Sequence, residues 1–442
     1  MSIAFSRGFR SLAALTFSLA SLTSGSVRAD VPALEGLDAL YPQIETLYRE
    51  LHQAPELSLH EEKTSARLAE YLRKTGYQVT ERVGGWGVVG MLHNGAGPTI
   101  LVRTDMDGLP LEEKTGASYA SHATGLDPAG KVVPTMHACG HDLHMSEWIA
   151  TATLLARATN QWRGTVMFIG QPAEEIGQGA EAMVKDHLFD RFGKPDFAIA
   201  LHDYANLPAG TIGYHSGFCY ANVDSVDITF FGKGGHGAYP HKTIDPIVMA
   251  ARFVTAVQTV VSRENDPVEP GVITVGSFHA GLKHNIIPDD AKLQLTVRSY
   301  KDEVRKKLLA GIERVAKAEA VASGALREPE IRLSDFTPAT YNDPTLTQRL
   351  VDRLKSEFGA DKLVEIPATM GGEDFSVYGR NGIPACMLNL GAVNPARYAT
   401  AKAAGQDLPS LHSPLFLPDL DPTLHAGIKS LTIMVLELLG KP

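Results

Sequence analysis

The feature that most narrows the fold is a pattern repeated through the first half of the chain: an apolar, β-rich run, then acids or an imidazole, then residues at helical spacing. Thr99-Ile100-Leu101-Val102-Arg103 leads to Asp105 and Asp107; residues 164–169 lead to Glu174-Glu175; residues 196–201 lead to His202. Strands alternating with helices predict an α/β domain built on a mixed, largely parallel sheet. In such sheets, ligands collect beyond the carboxyl ends of the strands. Three strands therefore deliver polar groups to one edge.

A different pattern occupies residues 222–336. Strand 225–231, helix 245–263, strands 272–278 and 292–300, helix 302–322 and a short strand 330–333 follow in the order β-α-β-β-α-β, which predicts a ferredoxin-like α+β unit. It is an insertion, because the α/β pattern resumes with helix 345–358 and strand 385–390. The expected organisation is a discontinuous α/β domain, 30–221 with 337–442, carrying an inserted domain, 222–336. Residues 392–409 read as a long loop.

Residues 1–29 carry Arg7 and Arg10, an apolar run from Leu12 to Ala20, and Val27-Arg28-Ala29 before Asp30. This is the pattern of a secretory signal peptide, so the protein is expected to be exported, either periplasmic or secreted. No later stretch reaches the roughly 20 apolar residues that span a bilayer, and no membrane partner is expected. Cleavage removes three arginines and no acid, making the formal charge of -9 more negative still. Nucleic acid is an unsuitable partner for such a chain. The three cysteines, Cys139, Cys219 and Cys386, are odd in number and widely spaced, which argues against a disulfide framework.

His137-Ala138-Cys139-Gly140-His141-Asp142 crowds a thiol, two imidazoles and a carboxylate around a glycine. Taken alone, the stretch reads equally as a buried thiol with capping neighbours or as part of a metal site. Two metal ions roughly 3.5–4 Å apart need one bridging ligand and several terminal ones. Cys139, His141, Glu175, His202 and His412 supply that number. Glu174, beside a ligand but projecting differently, fits a general base acting on a metal-activated water.

Asp105-Met106-Asp107, the Cys139 stretch, Pro172-Ala173-Glu174-Glu175, Leu201-His202, Gly234-Gly235-His236-Gly237-Ala238, Asn285-Ile286-Ile287-Pro288, Gly371-Gly372-Glu373-Asp374-Phe375 and His412-Ser413-Pro414 run in one order over nearly the whole chain. Together they resemble the M20 metallopeptidase family, in the amidohydrolase branch of hippurate hydrolases, aminoacylases and auxin-conjugate hydrolases. The resemblance implies that Cys139 bridges two divalent metals, zinc first, with manganese, cobalt or nickel as alternatives. His141, Glu175, His202 and His412 complete the shells, Glu174 is base and proton shuttle, and Asp107 orients a ligand imidazole. It further implies that His236 stabilises the oxyanion in a partner subunit's site, that Asn285 and Arg298 hold the substrate carboxylate, and that a homodimer forms through the inserted domain.

The implied reaction is hydrolysis of the amide of N-acyl or N-aroyl amino acids, a small-molecule substrate. A dipeptidase or carboxypeptidase on the same residues is the alternative, and a non-catalytic metal- or acyl-binding protein is the reading from another class. A thiol nucleophile at Cys139 with His141 as base is a further possibility, as is a phosphate loop at residues 232–237, which lacks the strand-to-helix context such loops need. His144 is weighed as a rival ligand against a supporting or solvent-facing role. Peptidase branches carry a histidine ligand where Asp105 stands. His52 reads as a helix-packing residue, and Cys219 and Cys386 read as core thiols.

Overall fold

Eight strands form the main sheet, in the spatial order Gln78–Val83, Gly87–Asn94, Gly164–Gln171, Thr99–Asp105, Phe197–Pro208, Ala385–Val393, Ile212–Tyr214, Leu363–Glu365. The third to sixth of these run parallel, and antiparallel pairs join the second to the third and the sixth to the seventh. The structure, a computed structural model, describes residues 31–441. The expected signal peptide lies outside the described residues. No helix among the described residues is long and apolar enough to cross a membrane.

The apolar runs are continuous because both faces of the sheet are covered, and successive side chains point to opposite faces. Ile100, Val102, Val166 and Phe168 pack with Trp148 and helices Leu37–His52 and Leu420–Leu438 on one side. Leu101, Met167 and Ile169 pack with Met183, Phe375 and Tyr378 on the other. Helix His141–Arg157 lies between the sheet and those two helices, and nearly every residue of it is buried, including His141, Asp142, His144 and Glu147. Polar side chains in such a place need partners or a ligand.

The second sheet has four antiparallel strands in the order Gly271–Ala280, Asp290–Ser299, Asn222–Phe231, Glu330–Thr337. Helices Pro246–Ala256 and Asp302–Ala322 close over one face, with Val226, Ile228, Phe230, Phe253, Leu293 and Leu308 as its own core. The strand Asn222–Phe231 alternates buried and half-buried residues along its length, as a one-sided sheet requires.

Several boundaries differ from expectation. The helix expected over 245–263 ends at Ala256 and is followed by a π-helical turn, Val260–Glu264. The last strand of the insert continues past residue 333 to Thr337 through an irregular register. Residues 392–409 are not all loop: Pro395–Ala404 is a helix. Asn394 caps it by accepting from the Ala396 and Arg397 amides, Pro395 occupies the first turn, and Gly405 ends it in a left-handed conformation. Those signals were present in the sequence and outweigh the weak apolar periodicity.

Candidate metal centre

Helix His141–Arg157 starts from Gly140, whose φ is +77°. A side chain there is excluded twice, because a Cβ would also stand 2.1 Å from the Asp203 Oδ2 atom. The turn brings Cys139 from the loop and His141 from the first helical residue to one place. The second imidazole, His202, lies inside strand Phe197–Pro208 rather than beyond its end, since that strand extends past the expected boundary at residue 201. His412 has a φ of 62°, and its amide donates to the Ala138 carbonyl at 2.8 Å, which pins the late loop to the Cys139 loop.

These elements assemble all five expected donors. Cys139 Sγ lies 3.2 Å from His412 Nε2 and 3.6 Å from His202 Nε2. Glu175 Oε2 is 3.4 Å from His412 Nε2, and Glu175 Oε1 is 3.8 Å from His141 Nε2. Donor atoms of Cys139, Glu175 and His412 all lie within 4.8 Å of one another, as do those of His141, Glu174 and Glu175, and those of Asp105, His141, His144 and His202. Glu174 Oε2 stands 3.9 Å from His141 Nε2.

The electrostatics fit a cation. Burial pushes the Cys139 thiol well above its ordinary value, with the Glu175 and Glu174 carboxylates adding to the effect. Burial likewise raises Glu174 well above the carboxylate range, reinforced by Glu373 and Glu175. Glu175 rises to about 8, chiefly through burial, against the opposing charge of His141. Burial pulls the His141 imidazole down, but Asp105 and Asp107 outweigh it and push it up to about 9. The buried His141 Nε2 and Glu175 Oε1 atoms have no hydrogen-bond partner among the described residues. Imidazole and carboxylate donors left unpaired in low dielectric beside a thiol are what a divalent ion of the zinc type satisfies.

Around the donors, the structure refines two expectations. Asp107 does hold an imidazole, but with its main chain: His141 Nδ1 donates to the Asp107 carbonyl oxygen at 2.8 Å, while the carboxylate is 3.5 Å away. The Asp107 carboxylate instead accepts from Ser58 Oγ at 2.6 Å and from the amides of Glu174 and Glu175 at 3.2 and 3.0 Å. His144 is buried, which excludes a solvent-facing role; its ring nitrogens meet Asp105 Oδ1 at 2.8 Å and the Asp203 amide at 2.9 Å. The other Asp105 oxygen is held by Arg103 Nη1 at 2.7 Å.

Sequence reasoning assigned no role to Arg103. It is buried within the sheet and also donates to Glu373 at 2.8 Å, Asp374 at 3.1 Å and Gln171 at 3.1 Å. The available signal was an arginine in the middle of an apolar β-run, a charge that requires buried acids.

Cys139, Glu174, Glu175, His202 and His412 face a cleft of about 890 Å³, lined also by Tyr204, Ile176 and Leu411 and by Val223, Arg298 and Asp335 of the four-stranded sheet. Arg298 is half-buried, with Nη1 donating to the Met370 carbonyl at 2.6 Å. His236 and Asn285 are exposed and lie outside this cleft. His236 ends one strand of the two-stranded ribbon Gly235–His236 and Ile286–Ile287, and Asn285 immediately precedes the other; the Gly237 amide donates to the Asn285 carbonyl at 2.9 Å and His236 Nδ1 accepts from the Ala238 amide at 3.0 Å. Cys219 and Cys386 are buried free thiols.

Comparison with known proteins places the chain among hydrolases of one family. The family model for peptidase family M20/M25/M40 matches residues 101–408. A thermostable carboxypeptidase of Saccharolobus solfataricus is 37% identical over 332 residues, 74% of this chain and 80% of that protein. An N-acetyldiaminopimelate deacetylase of Ligilactobacillus salivarius is 34% identical over 387 residues, 87% of this chain and 94% of that protein. The crystal structure of a dinuclear metal-binding peptidase of the M20 family from Bacillus subtilis superimposes with a TM-score of 0.72 at 28% identity, covering 91% of this chain and 100% of that one.

Proposed function

The chain belongs to peptidase family M20/M25/M40, and from that premise we propose that this amidohydrolase cleaves the amide of N-acyl or N-aroyl amino acids. The observation that carries the reading is Glu174: a buried carboxyl at the cleft, 3.9 Å from His141 Nε2 and outside the cluster of Cys139, Glu175 and His412.

Cys139, His141, Glu175, His202 and His412 would hold two divalent ions, zinc first and manganese, cobalt or nickel as alternatives. Bound there, the ions supply Lewis acidity to the scissile carbonyl and to the attacking water. Glu174 takes the proton from that water, an uptake its raised affinity for protons favours, and returns it to the leaving amine. Asp107 holds the Glu174 and Glu175 amides, so the base and its neighbour keep their different directions. Arg298 forms the carboxylate-binding wall of the cleft, where a guanidinium suits a planar anion.

His236 and Asn285 act in the site of a second copy, with His236 donating to the developing oxyanion. The homodimer forms through the four-stranded sheet, a reading supported by exposed Phe278, Leu282 and Ile286 beside the edge strand Gly271–Ala280. Export to the periplasm or medium follows from the pattern of residues 1–29.

The test is a panel of N-acetyl amino acids, hippurate and free dipeptides, assayed with added zinc, manganese and cobalt. N-acyl amino acids are expected to be turned over fastest. Faster cleavage of free dipeptides would assign the chain to the peptidases instead.

A further inference from the structure

We infer that Asp335 selects substrates whose amino acid carries a cationic side chain. The inference rests on the N-acyl amino acid reading above and names its substrate class. Asp335 belongs to the edge strand Glu330–Thr337 and lines the cleft. Along the ladder with Asn222–Phe231, Asp224 stands opposite Phe336 and Ser225 opposite Ser334, so Asp335 is the extra residue of a β-bulge. Its φ is 36°, in the left-handed region that side chains seldom adopt. Bulges re-aim a side chain, and strain of this kind persists where the surroundings hold it.

Among the described residues no lysine, arginine or histidine is within ion-pair distance of Asp335. Arg305, packed over the ring of neighbouring Phe336, is already held by Asp224 in a two-bond fork of 2.8 and 2.6 Å. The strand is also close to the chemistry. Gly177, in the turn after Glu174-Glu175, approaches Thr337 so closely that a Cβ would lie 2.1 Å from Thr337 Oγ1.

Arg298 completes the match. Arg298, Val223 and Thr337 form one row across three strands, which places Arg298 and Asp335 on strands two apart, roughly 10 Å by strand spacing. The α-carboxylate and terminal ammonium of one lysine-like residue bridge that gap once both protein side chains reach inward. The cleft thus offers a guanidinium for the carboxylate and a carboxylate for the ammonium.

The experiment compares kcat/KM for Nα-acetyl-L-lysine and N-acetyl-L-norleucine, which differ in the terminal ammonium. The wild type is expected to favour the lysine substrate, with a ratio that falls as salt is raised. Asp335→Asn, which tolerates the left-handed backbone, is expected to lower that ratio about fivefold, and Asp335→Glu to restore part of it. A wild-type ratio at or below one, or a ratio unmoved by Asp335→Asn, overturns the inference while leaving amidohydrolase activity standing. Hydrolysis of neither substrate alongside rapid cleavage of free dipeptides overturns both readings.

Discussion

His141 is aligned by the main chain of Asp107: its Nδ1 donates to the Asp107 carbonyl at 2.8 Å, and this leaves Nε2 facing the donor cluster. The Asp107 side chain has a separate task, holding the amides of Glu174 and Glu175. Asp107→Asn keeps the carbonyl but replaces one acceptor oxygen with a donor, so one of those amides loses its partner. Activity is expected to fall roughly 10- to 100-fold, the usual cost of disturbing a group that supports a metal site. Metal per chain, read by elemental analysis, should fall less than kcat/KM.

Glu174→Gln removes the proton carrier and preserves the shape. Turnover is expected to drop by about 10² to 10⁴, with metal content unchanged. Wild-type activity should vanish on thorough chelation and return with divalent metal. Near-wild-type turnover in the variant, or activity that survives chelation, would remove Glu174 from the reaction and favour Cys139 as a nucleophile.

Arg103 neutralises Asp105, Glu373 and Asp374 in a buried setting. Arg103→Met leaves Glu373 and Asp374 without their cation and Asp105 with only its histidine neighbours, and the expected loss of stability is about 3–5 kcal/mol. Arg103→Lys restores the charge but not the fork, so it should lose less. Urea denaturation of the two variants checks the order.

His52 ends helix Leu37–His52 and is 2.6 Å from Asp142 and 3.2 Å from Glu113. Burial lowers its proton affinity, but the hydrogen bond and charge of Asp142, then those of Glu113, outweigh burial and push it up to about 10 from an ordinary 6.5. Folding therefore favours charged His52. Its stabilisation is complete below pH 6.5 and is lost as pH rises through about 10. The difference in melting temperature between wild type and His52→Gln should be largest near pH 6 and shrink towards pH 10.

Much of the site could be read before folding because its residues sit at recognisable local places: Asp105 and Glu174-Glu175 after apolar runs, Cys139 and His141 on either side of a glycine. His52 packs at the end of its helix against two carboxylates, Asp142 and Glu113. What could not be read was pairing over distance. Asp142 is 90 residues from His52, and Glu373 is 270 from Arg103.

The sequence by itself determined the kinds of donor and the alternation of strands and helices, since apolar periodicity and strand ends are local properties of the chain. Only the tertiary structure decided which atoms meet. Cys139 and His412 approach to 3.2 Å across 273 residues because loop and strand positions are set jointly by the packed sheet. Asp335 lines the cleft at a bulge where its strand and the neighbouring one fall out of step by one residue. In a β-ladder, a single-residue shift changes the face a side chain occupies, and that choice is made by the neighbouring strand.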